Sequence, residues 1–551
     1  MATITRPAPV AVLDDAHVGD IRGALGTIAV DDHGPRTGLS AKLKTLLAIV
    51  GPGLIVMCGD NDAGAFSTYG QAGQNYGTRL LWTLLLLVPV LYVNQEMVLR
   101  LGAVTGVGHA RLILERFGKF WGAFSVIDLF ILNALTIITE FIGITLAAGY
   151  LGVPRLVAVV LAAGVIIAAA FTGSFRRFER IAVTFCAGSL LLIPLVLLTH
   201  PNAGQIAHGF VVPGLPGGSG QMATVMLLVI GIVGTTVAPW QLFFQQSYVI
   251  DKRITPRFIK YEKADLWIGI AIVVLGAAAL MGATAAAFAG TGAAGHFTDS
   301  AGLAHGVALY AGRVAGALFA VALLDAAIIG AFAVSLSSAY AIGDVLGMKH
   351  SLHRGVGQAK GFYALYAALI CAAATIVLIP GSPLGLITEG VQVLAGVLLP
   401  AATVFLLMLC NDKAVLGPWV NTAKTNAFTS AVIAALVTLS IVLVASVMFP
   451  AITATQIIAI VAGCAAVAVT AVGWLGARGI QGIRRRGRSV PRDADDSAQA
   501  DRMMWRMPPL AELAVPKITG ARRVGLIALR GYLAVAMVMV VLKVVLMAVA
   551  H

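Results

Sequence analysis

Charge is scarce in this chain. Of its 551 residues 11% are Asp, Glu, Lys or Arg, while 59% are hydrophobic; a soluble domain carries about 25% charged residues. That scarcity excludes a soluble enzyme. The net charge of +13 raises nucleic acid as a partner, but the basic residues do not gather with aromatics on one face. They sit in short connections between apolar runs, where they orient a protein in a bilayer, so the partner is lipid and not nucleic acid. Cysteine is scarce too. Cys58, Cys186, Cys371, Cys410 and Cys464 form no Cys-x-x-Cys and have no neighbouring His, which excludes a zinc site and a disulfide framework. They read as buried free thiols packing as small hydrophobes. An apolar leader is missing as well: residues 1–40 are polar, and 1–43 read as a disordered cytoplasmic tail. No nucleophile–base pair, phosphate loop or zinc motif points to an enzyme, to a cofactor or to an obligate protein partner.

Long apolar runs are what the chain has in quantity. A spanning helix needs about 20 apolar residues. Runs of that kind cover 44–72, 79–103, 121–150, 155–173, 180–199, 222–248, 265–290, 312–343, 361–380, 385–409, 427–449 and 453–475. One more, 526–550 with Lys543, reads as a thirteenth span or as a helix lying in the interface. The Lys and Arg residues test this count. Alternate connections are rich in them: Lys42 and Lys44; Arg111, Arg116 and Lys119; Arg176, Arg177 and Arg180; Lys252 to Lys263; Lys349, Arg354 and Lys360; Lys413 and Lys424; Arg484 to Arg488. The intervening set holds only Arg79, Arg155 and Arg313. By the positive-inside rule the N-terminus is cytoplasmic, in the plasma (inner) membrane.

Two of the runs are interrupted. Gly59-Asp60-Asn61-Asp62-Ala63-Gly64-Ala65 breaks the first, and Gly231 to Trp240, with Pro239, breaks the sixth. Five spans in each half, the second half starting on the opposite side, is the layout of an inverted repeat with its site between two discontinuous helices. The expected division is a transport core at 44–410, peripheral spans at 411–475, a basic cytoplasmic linker at 476–525 and a C-terminal hydrophobic helix at 526–551.

A carboxylate in hydrocarbon is costly and so marks function. Asp62 at the first break can neutralise and coordinate a hard cation; its bland alternative is an N-cap of the second half-helix. Asp60 is a second candidate ligand, or faces an aqueous vestibule. Asn61 reads as satisfying freed backbone. Pro239 cannot donate to the carbonyl four residues back, which frees the Thr235 carbonyl for an oxygen-seeking ion; a simple proline kink is the alternative. Gly234 and Pro239 line that break. Gln392 in the tenth span either contacts the ion or bonds between helices. Glu140 is the acid deepest in its span and reads as part of a path or a proton route. Asp265, after a basic loop, suggests a salt bridge at the membrane edge, and Asp325 has no assignable role.

The stretch from Gly51-Pro52-Gly53-Leu54-Ile55 through Asp62-Ala63-Gly64-Ala65 to Gln74-Asn75-Tyr76-Gly77 resembles the NRAMP family of divalent metal transporters. So do Thr139-Glu140 with Gly143, Gly234 to Pro239, and Gln392 through Leu399-Pro400 to Asn411-Asp412-Lys413. The resemblance implies an all-α, LeuT-type fold with a 5+5 inverted repeat, twelve or thirteen spans, and proton-linked movement of divalent transition metals. The departures are informative. Where the family has Asp-Pro-Gly-Asn, this chain has Asp62-Ala63-Gly64-Ala65; where it has Ala-Thr-Val-Met-Pro-His, this chain has Thr235-Thr236-Val237-Ala238-Pro239-Trp240. An acid usually three before Glu140 is Ile137. The pattern is similar to the NRAMP-related magnesium transporters. Ala65 and Ala238 remove an amide and a soft thioether and leave room, which suits Mg²⁺ with several waters and still admits Mn²⁺. Trp240 and Ile137 remove titratable groups. The expectation is a carrier of Mg²⁺, with Mn²⁺, showing weak or no proton coupling. The alternative is an ordinary proton-coupled carrier of Mn²⁺ or Fe²⁺.

Overall fold

The computed structural model describes residues 14–216, 222–380, 384–449 and 452–484, together with 502–503, 505–513, 527 and 531. Among these the secondary structure is helical apart from one short hairpin, β1 (Ile21–Arg22) paired antiparallel with β2 (Thr27–Ile28). Helix is the form an apolar chain takes in hydrocarbon, because it satisfies its backbone internally. The helices are α1 (Leu39–Ile49), α2 (Pro52–Cys58), α3 (Ala63–Tyr76), α4 (Trp82–Thr105), α5 (His109–Phe117), α6 (Lys119–Tyr150), α7 (Arg155–Ala170), α8 (Phe175–Cys186), α9 (Leu192–Thr199) and α10 (Ala203–Val211). They continue as α11 (Met222–Thr236), α12 (Pro239–Asp251), α13 (Ile259–Phe288), α14 (Ser300–Ala311), α15 (Arg313–Leu346), α16 (Lys360–Val377), α17 (Leu384–Cys410), α18 (Lys413–Leu416), α19 (Ala423–Met448) and α20 (Ala454–Arg484).

Among the described residues nine helical segments are long and apolar enough to cross a membrane; α1 with α2 makes a tenth as a bent pair, and α7 and 455–470 are shorter apolar helices. Every apolar run from the first to the twelfth carries helix. The first departs from expectation in having two interruptions. Besides the break at 59–62, α1 and α2 meet at a 53° bend, where Gly51 precedes Pro52, a residue that fits only the first turn of a helix. The last also differs: α20 runs on to Arg484, past the expected end at 475. The run 526–550 lies outside the described residues but for 527.

The core is assembled from small residues, which let membrane helices approach closely. α13 packs along α2 and α3, α15 along α6, and α11 along α17. A Cβ on Gly53 would lie 2.8 Å from Leu266 Cα, and one on Gly269 would lie 2.6 Å from the Gly53 carbonyl. Two of the five thiols depart from the expected burial: Cys371 is exposed and Cys464 half-buried, both on outward helix faces, while Cys58, Cys186 and Cys410 are buried.

The expected disordered tail is folded from Asp14 onward. Its β-hairpin packs against α1, with Ile21 and Ile28 in the core. Asp14, 3% exposed, accepts from the amides of Ala16 and His350 and from the Arg354 guanidinium. Arg253 donates to the carbonyls of Ala16 and Asp20, and Ala24 donates to Glu179. His17 lies 3.5 Å from Asp251, its ring edge-on to His350. Polarity hid this segment from a reading of the sequence: its anchors are single charged residues whose partners lie hundreds of positions away. The linker is also partly docked, since Trp419 donates to the Arg502 carbonyl at 2.8 Å and Met507 is buried.

The strap is pH-sensitive in two directions. Burial pushes His17 below the ordinary imidazole value, so its contribution to stability is lost as acid charges it. His350 is held up to about 9, against the effect of burial, by Asp344 at 3.1 Å. Its contribution is complete below the unfolded value of about 6.5 and is gone once the pH passes its folded value of about 9. Resistance of residues 14–30 to limited proteolysis should therefore peak near pH 6.5 and fall on both sides. Asp14→Ala should expose the segment at every pH, at a cost of about 1.5–3 kcal/mol for hydrogen bonds to a charged group. Unchanged proteolysis of that variant would show that the strap is held elsewhere.

Candidate functional site

The site grows out of the two helix breaks. α2 stops at Cys58; the Gly59 amide closes its last turn on the Ile55 carbonyl, Asn61 bonds back to Cys58, and α3 begins at Ala63. Asp62 is the N-cap of α3: its Oδ1 accepts the Ala65 amide at 2.8 Å. The capping role weighed as an alternative is thus present, and it leaves the carboxylate at the break, 3% exposed. Glu140 from α6 reaches the same point, its Oε2 accepting the Ala63 amide at 3.1 Å. A Cβ on Gly330 of α15 would lie 2.7 Å from Glu140 Oε2 and 2.9 Å from Asp62 Cβ. Three helices therefore converge on Asp62, and the bareness of Gly330 is what lets them.

Asp60, 1% exposed, points toward the other break. Its Oδ1 accepts from the Gln241 side-chain amide on α12, while its Oδ2 has no partner. Gln241 is held in turn: its Oε1 accepts from Gln95 at 2.8 Å, and it donates to the Thr236 carbonyl at 3.3 Å. Tyr69 and Thr236 share a hydrogen bond of 2.6 Å between α3 and α11. Asn61 turns away, donating to the Val273 carbonyl on α13 at 3.3 Å, which ties the break to the bundle.

The second break is shorter than the first. α11 ends at Thr236 and α12 starts at Pro239, with Ala238 extended between them. The Thr235 carbonyl loses its donor because residue 239 is proline. Gln392 from α17 lies over the start of α3: a Cβ on Gly64 would run into its amide, whose nitrogen is buried and has no partner. Gly234 lets α17 in, since a Cβ there would meet Gly396 and the Gln392 carbonyl. Trp240 is buried, with its ring against Gly59 and its carbonyl taking a 2.9 Å bond from Ser337. Ala65 and Ala238 are both buried.

Asp60, Asp62, Thr235, Gln392 and Glu140 are thus brought together with Ala65, Ala238, Gly234, Pro239 and Trp240. Among the described residues no group of three or more His, Cys, Asp or Glu side chains has metal-binding geometry; the acids at this place are Asp60, Asp62 and Glu140. Sequence reasoning missed Gln241 and Gln95, which position Asp60. Their signal was the polar run Gln241, Gln245 and Gln246 inside an apolar span. Asp265 departs from the expected salt bridge: it accepts the amides of Gly51, Gly53 and Leu54 at the start of α2. Asp325 lies against Gly188, in the turn between α8 and α9.

Access to the site is closed. Every residue of α12 is buried, which closes the side of the site that α12 covers. On the opposite side a cavity of about 230 Å³ opens at the end of α3, lined by Gln74, Asn75, Thr78, Asn202 and Gln205.

Residues 53–446 match the family described as Nramp, natural resistance-associated macrophage protein-like. The divalent metal cation transporter MntH of Ralstonia nicotianae is 31% identical over 407 residues, covering 70% of this chain and 87% of its own length. The protein of the same name from Latilactobacillus sakei is 28% identical over 401 residues, covering 69% and 84%. A crystal structure of the Eremococcus coleocola manganese transporter, in complex with an aromatic bis-isothiourea substituted compound, is similar with a TM-score of 0.58 at 20% identity. It covers 84% of this chain and 98% of that one. That likeness carries the fold, the sequence matches carry the kinship, and this chain belongs to the Nramp family.

Proposed function

We propose that this protein is a secondary carrier of divalent metal cations that takes up Mg²⁺, and with it Mn²⁺, by alternating access with weak or no proton coupling. It sits in the plasma membrane with its N-terminus in the cytoplasm. The observation that carries the reading is the donor set: two buried carboxylates between two helix breaks, with alanine at 65 and 238 and no sulfur ligand. Hard oxygen donors suit Mg²⁺ and Mn²⁺, whereas a thioether would favour softer metals. The room beside Ala65 and Ala238 suits an ion that keeps part of its water.

The residues divide the work. Asp62 supplies charge at the break and is aimed by the Ala65 amide. Asp60 supplies a second carboxylate, aimed by Gln241. Thr235 and Gln392 offer neutral oxygens. An inside-negative potential contributes about 2.3 kcal/mol per charge per 100 mV, and a divalent ion gains about twice that, so uptake needs no other driving ion.

One observation favours the proton-coupled alternative: Glu140 lies against Asp62, at the start of α3. Proteoliposome flux separates the two readings. Mg²⁺ should compete with Mn²⁺ uptake, and the lumen should not acidify as Mn²⁺ enters. Acidification that disappears in Glu140→Gln would select the proton-coupled carrier instead.

Asp62→Ala should abolish uptake of either ion. Ala238→Met should move the Mn²⁺ to Mg²⁺ preference toward Mn²⁺ by about tenfold, or about 1.4 kcal/mol, read as the ratio of competition constants. Failure of Mg²⁺ to compete in the unmodified protein would remove the magnesium reading.

A further inference from the structure

The foot of α2 stands in a cluster of buried charge separate from the ion site. Asp265 on α13 accepts the amides of Gly51, Gly53 and Leu54 at 3.2, 2.7 and 3.2 Å. These are the donors a helix start leaves bare. Lys252, just past α12, donates to Glu179 Oε1 at 2.7 Å and to the Val50 carbonyl at 2.8 Å. Glu179 on α8 also receives the Ala24 amide from the N-terminal strap. The seat is tight: a Cβ on Gly51 would lie 2.8 Å from Lys252 Nζ and 2.9 Å from Glu179 Cδ. Lys252, Glu179, Asp265 and Glu262 are each 0% exposed.

Glu262 is the member of the cluster with nothing to bind. It lies one helical turn before Asp265 and faces Asp265, Lys252 and Glu179. Neither of its carboxylate oxygens has a hydrogen-bond partner. Lys252 is engaged by Glu179, and the charge on Asp265 is met by three amides. Three carboxyl groups thus share one ammonium. A buried carboxylate with no partner is penalised by lost solvation, which a neutral acid escapes.

We propose that Glu262 is a proton-binding site of the cytoplasmic gate: it holds a proton while the foot of α2 is seated and releases it to the cytoplasm when α2 leaves and water enters. The proton is taken from and returned to the same side. It sets the ease of opening without crossing the membrane, so it is compatible with uncoupled transport. Glu179 on α8, Lys252 after α12 and Asp265 on α13 are the charged groups that face it, and all three stay sealed with it. An acidic cytoplasm holds the gate shut, and an alkaline one frees it.

This inference rests on the alternating-access part of the reading above and not on which ion is carried, so its test uses no ion. Spin labels replacing Leu47 on α1 and Arg177 on α8, both exposed, would be placed in the full chain carrying Cys371→Ser and Cys464→Ser. Their separation is measured by double electron–electron resonance in lipid nanodiscs without divalent cations. The longer separation should gain on the shorter from about pH 6 to about pH 8.5, by up to about tenfold per pH unit for one proton. Glu262→Gln should hold the shorter separation at every pH, and Glu262→Asp should keep the pH response. A pH-invariant distribution in the parent chain would overturn the proposal, as would an unaltered pH profile in Glu262→Gln. Because glutamine is isosteric with the protonated acid, failure of that variant to fold would also count against it. Metal flux plays no part in any of these outcomes, so loss of the magnesium reading would leave them standing.

Discussion

A helix that stops inside hydrocarbon leaves amides and carbonyls bare, and each needs a partner in a place without water. The architecture follows from meeting that need at two breaks. At the first, Asp62 and Glu140 receive the amides that open α3. At the second, Pro239 removes a donor and leaves the Thr235 carbonyl unmet. The same requirement that makes the breaks costly concentrates oxygen at one depth. A divalent cation is a partner able to satisfy several such oxygens together, so the proposed ion site falls where the structural demand is greatest.

The fold was legible because composition and charge placement are global signals. Apolar runs of spanning length, and basic residues in alternate connections, survive any uncertainty about individual helix ends. The two breaks were legible for a different reason: glycines, prolines and acids are conspicuous against leucine and alanine. Asp60, Asp62 and Gln392 were visible as polar residues where polarity is expensive. What could not be read were partners. Nothing near Asp60 announces Gln241 and Gln95, and nothing near Asp265 announces the amides it receives more than two hundred positions away. Those pairings depend on which helices pack together, and the apolar pattern does not encode that.

The N-terminal strap shows the same limit from the opposite direction. A polar stretch with scattered glycine and proline lacks the apolar surface to order itself. It orders here because basic and acidic groups already fixed on α8, just past α12 and in the connection between α15 and α16 supply ready partners. Its structure belongs to the surface it lies on. Ala24, bonded to Glu179, is where the strap meets the buried charge under α2, so the outermost and innermost layers of this end of the bundle share one carboxylate.

The contact between Gly234 and Gly396 bears on how the bundle can move. Main chain meets main chain there, and beside that point the Ile230 side chain packs over Gly396 and against Val397. Elsewhere in the core, turning one helix against another would force rotamers through eclipsed positions. Where the two glycines meet, only backbone separates the helices, so a pivot at that point would tilt α11 with little displacement of the oxygens at the neighbouring breaks.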